Sequence, residues 1–178
     1  LTRPSMQKFC GLITGIINIL QSVPSFAVIA LLYVVTGIGA KTAIIAIWVY
    51  SLLPILNNTI VGIRSVDGFV IDCAKGMGLT KQEILFKVEL PLAFPVIFGG
   101  IRTAVVVSVG TAVIATFIGA GGLGDILVSG KNTSRYGIML LAAGLSSLLA
   151  LLLDSVLGMR KRQLLIKSCI LFGETEFR

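Results

Sequence analysis

The sequence predicts an all-α fold, a polytopic membrane helical bundle, and three observations carry that reading. Of the 178 residues, 56% are apolar and only 13% are charged, with a mean hydropathy of +1.00. A soluble core of this size has no use for so much apolar surface. Four runs free of charge, residues 9–40, 42–63, 103–124 and 136–153, are each long enough to cross a bilayer. The basic residues also sort by side. With one span in each run, 11 of the 15 Lys and Arg fall on one face, Lys41, Lys131 and Arg135 on the other, and Arg102 within a span. Under the positive-inside rule the crowded face is cytoplasmic, so both ends of the chain and the loop after the second span lie there. The formal charge of +7 then reflects topology and anionic lipid headgroups rather than nucleic-acid binding.

The first run is too long for one straight helix. Pro24, within Gln21-Ser22-Val23-Pro24-Ser25, frees backbone groups and bends the chain, giving one interrupted span or two short ones. The single span keeps the charge asymmetry cleaner and is preferred, for about four visible spans. The chain starts at Leu1 with a basic stretch and no signal-peptide pattern, and an additional N-terminal helix is expected to precede it. Residues 163–178 hold only short apolar patches, too brief to cross, and read as a cytoplasmic tail. The transmembrane domain is accordingly placed at residues 1–162.

Catalytic chemistry finds little support. Histidine is absent, and Cys10, Cys73 and Cys169 form no CxxC pair. His-based acid/base work, a thiolate-imidazole metal site and a disulfide framework are therefore not expected. No GxxxxGK[ST] pattern occurs, so nucleotide hydrolysis would belong to another chain.

Between the second and third spans lies the one extended polar stretch, placed at about 64–90, with eight of the 23 ionisable groups between Arg64 and Glu89. Its pattern is helix, glycine turn, helix. Asp67 is positioned to cap a helix running to Lys75, Gly76 and Gly78 interrupt it, and Thr80 with Glu83 spells a capping box for the next. Pro91 and Pro95 mark the start of the third span. Capping both helices is more than a plain connector needs, although an ordinary amphipathic interfacial pair has the same charges and glycines.

The spacing here resembles a known motif. Asp72-Cys73-Ala74-Lys75-Gly76-Met77-Gly78, followed after nine residues by Val88-Glu89-Leu90-Pro91, is similar to the EAA loop of permease subunits of ABC importers, E-A-A, three residues, G, nine residues, I-x-L-P. Asp72 and Cys73 depart from the motif but keep charge class or size. Ser22-Val23-Pro24-Ser25, Leu52-Leu53-Pro54-Ile55-Leu56-Asn57-Asn58-Thr59, Gly100-Ile101-Arg102-Thr103-Ala104 and Ile118-Gly119-Ala120-Gly121-Gly122-Leu123-Gly124-Asp125 further resemble permeases of OpuC-type osmoprotectant importers for glycine betaine, carnitine or choline. The likeness covers roughly residues 21–157.

The resemblance implies a type I ABC importer permease fold in the bacterial cytoplasmic membrane. It implies that Asp72, Cys73, Ala74, Lys75, Gly76, Met77, Gly78 and Leu79 dock on a cytoplasmic ATPase, which carries the ATP and Mg while this chain holds no cofactor. It also implies alternating access, pairing with a second permease copy or homologue, and an extracytoplasmic substrate-binding protein or fused binding domain. A methionine-type permease is the nearest alternative within the class. A small homo-oligomeric channel, from another class, explains four helices but not an ATPase-docking elbow.

The remaining residues carry two readings each. Ser22, Pro24, Ser25, Tyr50, Pro54, Asn57 and Asn58 interrupt apolar spans, where they line a passage or simply bond neighbouring helices. Arg102 lies about 10 Å beyond Pro95 along a helix, paired with Glu89 or Asp154 or gating the path. Gly121, Gly122 and Asp125 make a tight outer loop, either a contact surface or a plain turn. Gly11 and Gly15 form a GxxxG match, read as close packing. One Trp and three Tyr are too few and dispersed to suggest an exposed cation-π cage.

Overall fold

A computed structural model describes residues 4–175, with side chains from 11 to 159. Among the described residues there is no strand. The helices are α1 (Pro4–Ser22), α2 (Ser25–Thr36), α3 (Ala40–Arg64), α4 (Gly68–Gly76), α5 (Lys81–Ile84), α6 (Leu90–Ile114), α7 (Leu123–Asn132) and α8 (Tyr136–Thr175). A π-helical segment, Leu85–Glu89, joins α5 to α6, and a 3-10 turn, Ala115–Ile118, ends α6.

Three helical stretches are long and apolar enough to cross a membrane: Ala40–Arg64, Lys81–Ile118 and Tyr136–Met159. A fourth crossing exists if α1 and α2 count as one, for they meet at 91° across Pro24. At 12 residues α2 rises only about 18 Å and cannot cross alone. The expected break at Pro24 is therefore present, and sharper than a bent span requires. Pro54 behaves otherwise. It lies buried inside an unbroken α3, and Pro95 lies half-buried inside α6. Elements lying outside the described side chains include the basic end residues Arg3 and Lys8, Cys10, and the side chains of the tail 163–178, whose backbone continues α8 as far as Thr175.

The run Lys81–Ile118 has 38 residues, about 57 Å of helix, against a hydrocarbon core of about 30 Å. Its polar first turns, Lys81 to Glu89, consequently stand outside the apolar layer.

Packing uses small residues. Ala43, Ala46, Ala93, Ala104, Ala115, Ala142, Thr42 and Thr111 are buried, while most large apolar side chains face outward. This is the pattern of membrane helices, where close backbone approach rather than hydrophobic exclusion holds helices together. The most extensive crossing is the antiparallel pair α3 and α6. A Cβ on Gly100 would stand 2.8 Å from the Pro54 carbonyl oxygen and 2.7 Å from Asn58 Cβ, and one on Gly62 would stand 3.1 Å from the Ala93 carbonyl oxygen. Glycine on either helix lets the two backbones touch. At Gly11 and Gly15 an added Cβ would meet nothing within 4 Å, so among the described residues no neighbouring helix packs on these two glycines.

Candidate functional site: the helical elbow and the paired membrane charges

The elbow is built as its residues dictate. The Asp67 side chain accepts a hydrogen bond from the Phe69 backbone N–H at 3.0 Å and starts α4. At the far end Gly78 N–H donates to the Lys75 carbonyl (2.9 Å) and Leu79 N–H to the Ala74 carbonyl (3.2 Å). Those two bonds, with Gly78 at φ +80°, are a Schellman stop. Gly78 alone supplies the left-handed residue. Gly76, expected to interrupt the helix as well, is its last helical residue, because its backbone still fits the α-helical region.

Thr80 then opens α5. Its backbone N–H and hydroxyl donate to Glu83 Oε2 at 3.0 and 2.8 Å, and its hydroxyl accepts from Glu83 N–H at 3.4 Å. Lys87 Nζ holds the other carboxylate oxygen at 3.0 Å. The Thr80 backbone N–H first, then Lys87 and the Thr80 hydroxyl, bring the Glu83 carboxyl down to about 2. Among the motif residues Ala74 is buried and Leu79 half-buried, whereas Asp72, Cys73, Lys75, Gly76, Met77 and Gly78 are exposed. Asp72 and Lys75 pair at 2.7 Å on the outer face. Phe69, Met77 and Phe86 are 74%, 73% and 65% exposed, so the polar elbow also presents large apolar side chains.

Within the membrane layer, Arg102 from α6 meets Asp154 from α8. Nε bonds one carboxylate oxygen and a terminal nitrogen the other, a bidentate pair. Gly158 makes room for it, since a Cβ there would lie 3.3 Å from the guanidinium. Of the two partners the sequence allows, Asp154 is the one used. The pair sits at the edge of a cavity of about 480 Å³ shared with Gly99, Thr103, Val107 and Leu151.

The polar positions in the spans fall into two places. Tyr50 donates its hydroxyl proton to the Val23 carbonyl at 2.6 Å, pinning the break that contains Ser22, Pro24 and Ser25. Ser22 itself bonds the Asn18 carbonyl of its own helix. Pro54 and Asn58 instead lie at the α3–α6 crossing, with Asn58 Nδ2 donating to the Pro54 carbonyl. Asn57 is half-buried nearby in sequence on α3. On the face opposite the elbow, Gly119, Gly121 and Gly122 all have positive φ. The turn they form leads into α7, where Asp125 is exposed in the first turn.

The structure also gathers residues whose sequence positions gave no hint of one another. Phe26 and Phe117 meet edge to face, with centroids 6.1 Å apart and planes at 87°, and both line a cavity with Tyr33. Ninety residues of chain separate the two Phe, and no short-range spacing reports such a contact.

The helices long and apolar enough to cross a bilayer define a multi-pass membrane protein. The family described as the binding-protein-dependent transport system inner membrane component matches residues 5–164, and the chain belongs to it. Its role is that of a transport permease and not of an enzyme. The family implies an ATPase and a substrate-binding protein as partners, with ATP used by the former. The carnitine transport permease protein OpuCD of Listeria monocytogenes is 43% identical over 159 residues, covering 89% of this chain and 71% of the relative. The choline transport system permease protein OpuBB of Bacillus subtilis is 44% identical over 159 residues, with 89% and 73% covered. The osmoprotectant import permease protein OsmY of Salmonella typhimurium is 40% identical over 164 residues, with 92% and 70% covered. Among solved structures, the inward-facing MetNI methionine ABC transporter superposes with a TM-score of 0.72 at 24% identity, covering 90% of this chain and 77% of that one. That likeness speaks for the fold alone.

Proposed function

We propose that this chain is the membrane-spanning permease of an importer for quaternary-ammonium osmoprotectants of the glycine betaine, carnitine and choline class, working by alternating access in the bacterial cytoplasmic membrane. The elbow carries this reading. Two capped helices, joined by one left-handed glycine, hold exposed Phe69, Met77 and Phe86 just where α3 ends and the run into α6 begins. A partner that grips this lever moves both helices as a unit. We assign Asp72, Cys73, Ala74, Lys75, Gly76, Met77, Gly78 and Leu79 to ATPase docking, on the cytoplasmic side with the C-terminus. Mg-ATP is held by that partner.

Two permease subunits, two copies or a copy and a homologue, enclose the path. Ser22, Pro24, Ser25, Tyr50, Pro54, Asn57 and Asn58 are its candidate lining. Arg102 braces α6 against α8, and the turn of Gly121, Gly122 and Asp125 faces the extracytoplasmic binding protein. Residues 1–162 form the transmembrane domain, with the elbow at about 64–90, and 163–178 a cytoplasmic tail. The substrate class follows the relatives' names, and the sequence resemblance points the same way.

Purification from the native membrane tests the coupling. An ATPase should accompany the wild-type chain and be depleted with Gly78→Asp, whose side chain must adopt a left-handed backbone at a cost of about 1–2 kcal/mol. Normal ATP-driven uptake of labelled glycine betaine and choline by that variant would refute the elbow's role. Recovery of only self-associated chain from the wild type would favour a channel.

A further inference from the structure

The cavity lined by Phe26, Tyr33 and Phe117 has a volume of about 320 Å³, within the range of small-molecule sites. It lies at the end of the bundle opposite the elbow, where α2 ends, α3 begins and α6 gives way to its 3-10 turn. Three of the chain's 13 aromatic residues line it, all three open to the surface of the chain, and no acidic or basic side chain is among its lining residues. The two Phe rings stand at right angles and form adjoining walls.

The walls are fixed. Gly39 N–H donates to the Ile118 carbonyl at 3.0 Å. A Cβ on Gly119, at φ +76°, would press on Ile38 at 3.3 Å. Behind the cavity Ile29, Ala43, Ala46 and Ala115 pack as a buried cluster. An open apolar pocket with three aromatic side chains in its lining suits one kind of solute group, a positive charge shielded by methyls. It binds through ring faces and needs no hydrogen bond.

We infer that this cavity is a transit site for the trimethylammonium group of the imported solute, occupied between release from the binding protein and passage through the bundle. The inference rests on the substrate class proposed above and adds a specificity site within the permease itself.

The test uses the complete importer, with its ATPase and binding protein, reconstituted in liposomes and supplied with labelled choline or glycine betaine. Phe117 is replaced by mono-, di- and trifluorophenylalanine, which keep the ring's shape while draining its face of negative charge. Uptake should fall stepwise, by about two- to fivefold for the trifluoro ring, with the amount of co-purified ATPase constant. Phe26→Leu/Phe117→Leu should lower it about tenfold, and Phe117→Trp should retain it. Uptake indifferent to fluorination would overturn the inference and leave the cavity to a lipid chain or another segment of the importer. Failure of the wild-type importer to move either solute would instead overturn the substrate class.

Discussion

At the scale of single residues, the paired charges inside the membrane layer matter most. Arg102 and Asp154 satisfy each other through two bonds, and an intramembrane charge without a partner is costly. Arg102→Gln should therefore leave Asp154 stranded, and Asp154→Asn should strand Arg102. Each single variant is expected to lower the thermal midpoint in detergent and the amount of protein in the membrane. The double variant should recover much of both, because removing a pair is milder than removing one partner. Double and single variants of equal instability would show that the pair is not coupled. Sequence left Glu89 and Asp154 as rival partners, since Asp154 lies 52 positions away and only the α6–α8 contact brings it within reach.

At the scale of elements, the elbow is the best-specified piece of the molecule. Asp67, Gly78, Thr80 and Glu83 act within a few residues of themselves, which is why the cap and the box were legible from spacing alone. Thr80→Ala removes the hydroxyl half of the box while the backbone N–H at position 80 still reaches Glu83, and should destabilise α5 by about 1 kcal/mol, read as faster amide exchange at 80–84 with the spans unchanged. The Glu83 carboxyl, lowered from 4.5 to about 2, gives a sign for pH. A depressed carboxyl contributes stability that is complete above its unfolded value and is lost as pH falls through the folded one. The elbow should thus be insensitive to pH above about 5. It should loosen between 4.5 and about 2, followed by the Glu83 carboxyl resonance. A midpoint near 4.5 would mean the box is open. The π-helical link Leu85–Glu89 was not legible. Pro91 and Pro95 suggested a boundary, and α6 does open at Leu90 with Pro91 in its first turn, although the π-helical link keeps the run continuous with α5.

At the scale of the whole molecule, α3 and α6 form the spine between the elbow and the aromatic cavity at the opposite end. Their contact depends on absent side chains. Gly100→Ala places a methyl against the Pro54 carbonyl and Asn58, and overpacking of this kind costs about 1–3 kcal/mol. The expected result is a lower thermal midpoint for the intact protein and weaker transport, with elbow exchange unaltered. Gly11→Ala, where space is open, should do neither within the chain. By contrast α8 is hardly covered, with 6% of its apolar window buried against 22% for the run containing α6. Leu140, Leu141, Leu145, Leu148, Leu151 and Leu152 are all exposed on the surface of this chain.

The sequence by itself determined the helical class, the three uninterrupted apolar crossings, the break at Pro24 and the elbow with its caps. Each follows from local physics: uncharged length against bilayer thickness, a missing N–H at proline, a left-handed turn at glycine, side chains bonding backbone three residues away. Tertiary structure decided what depends on helices meeting. It chose Asp154 for Arg102, set Pro54 and Asn58 into a crossing, tied Tyr50 to the α1–α2 break, and brought Phe26 to Phe117 across 90 residues. Packing in a membrane is selected by close steric fit between small residues, which leaves no periodic trace of which helix will be the neighbour.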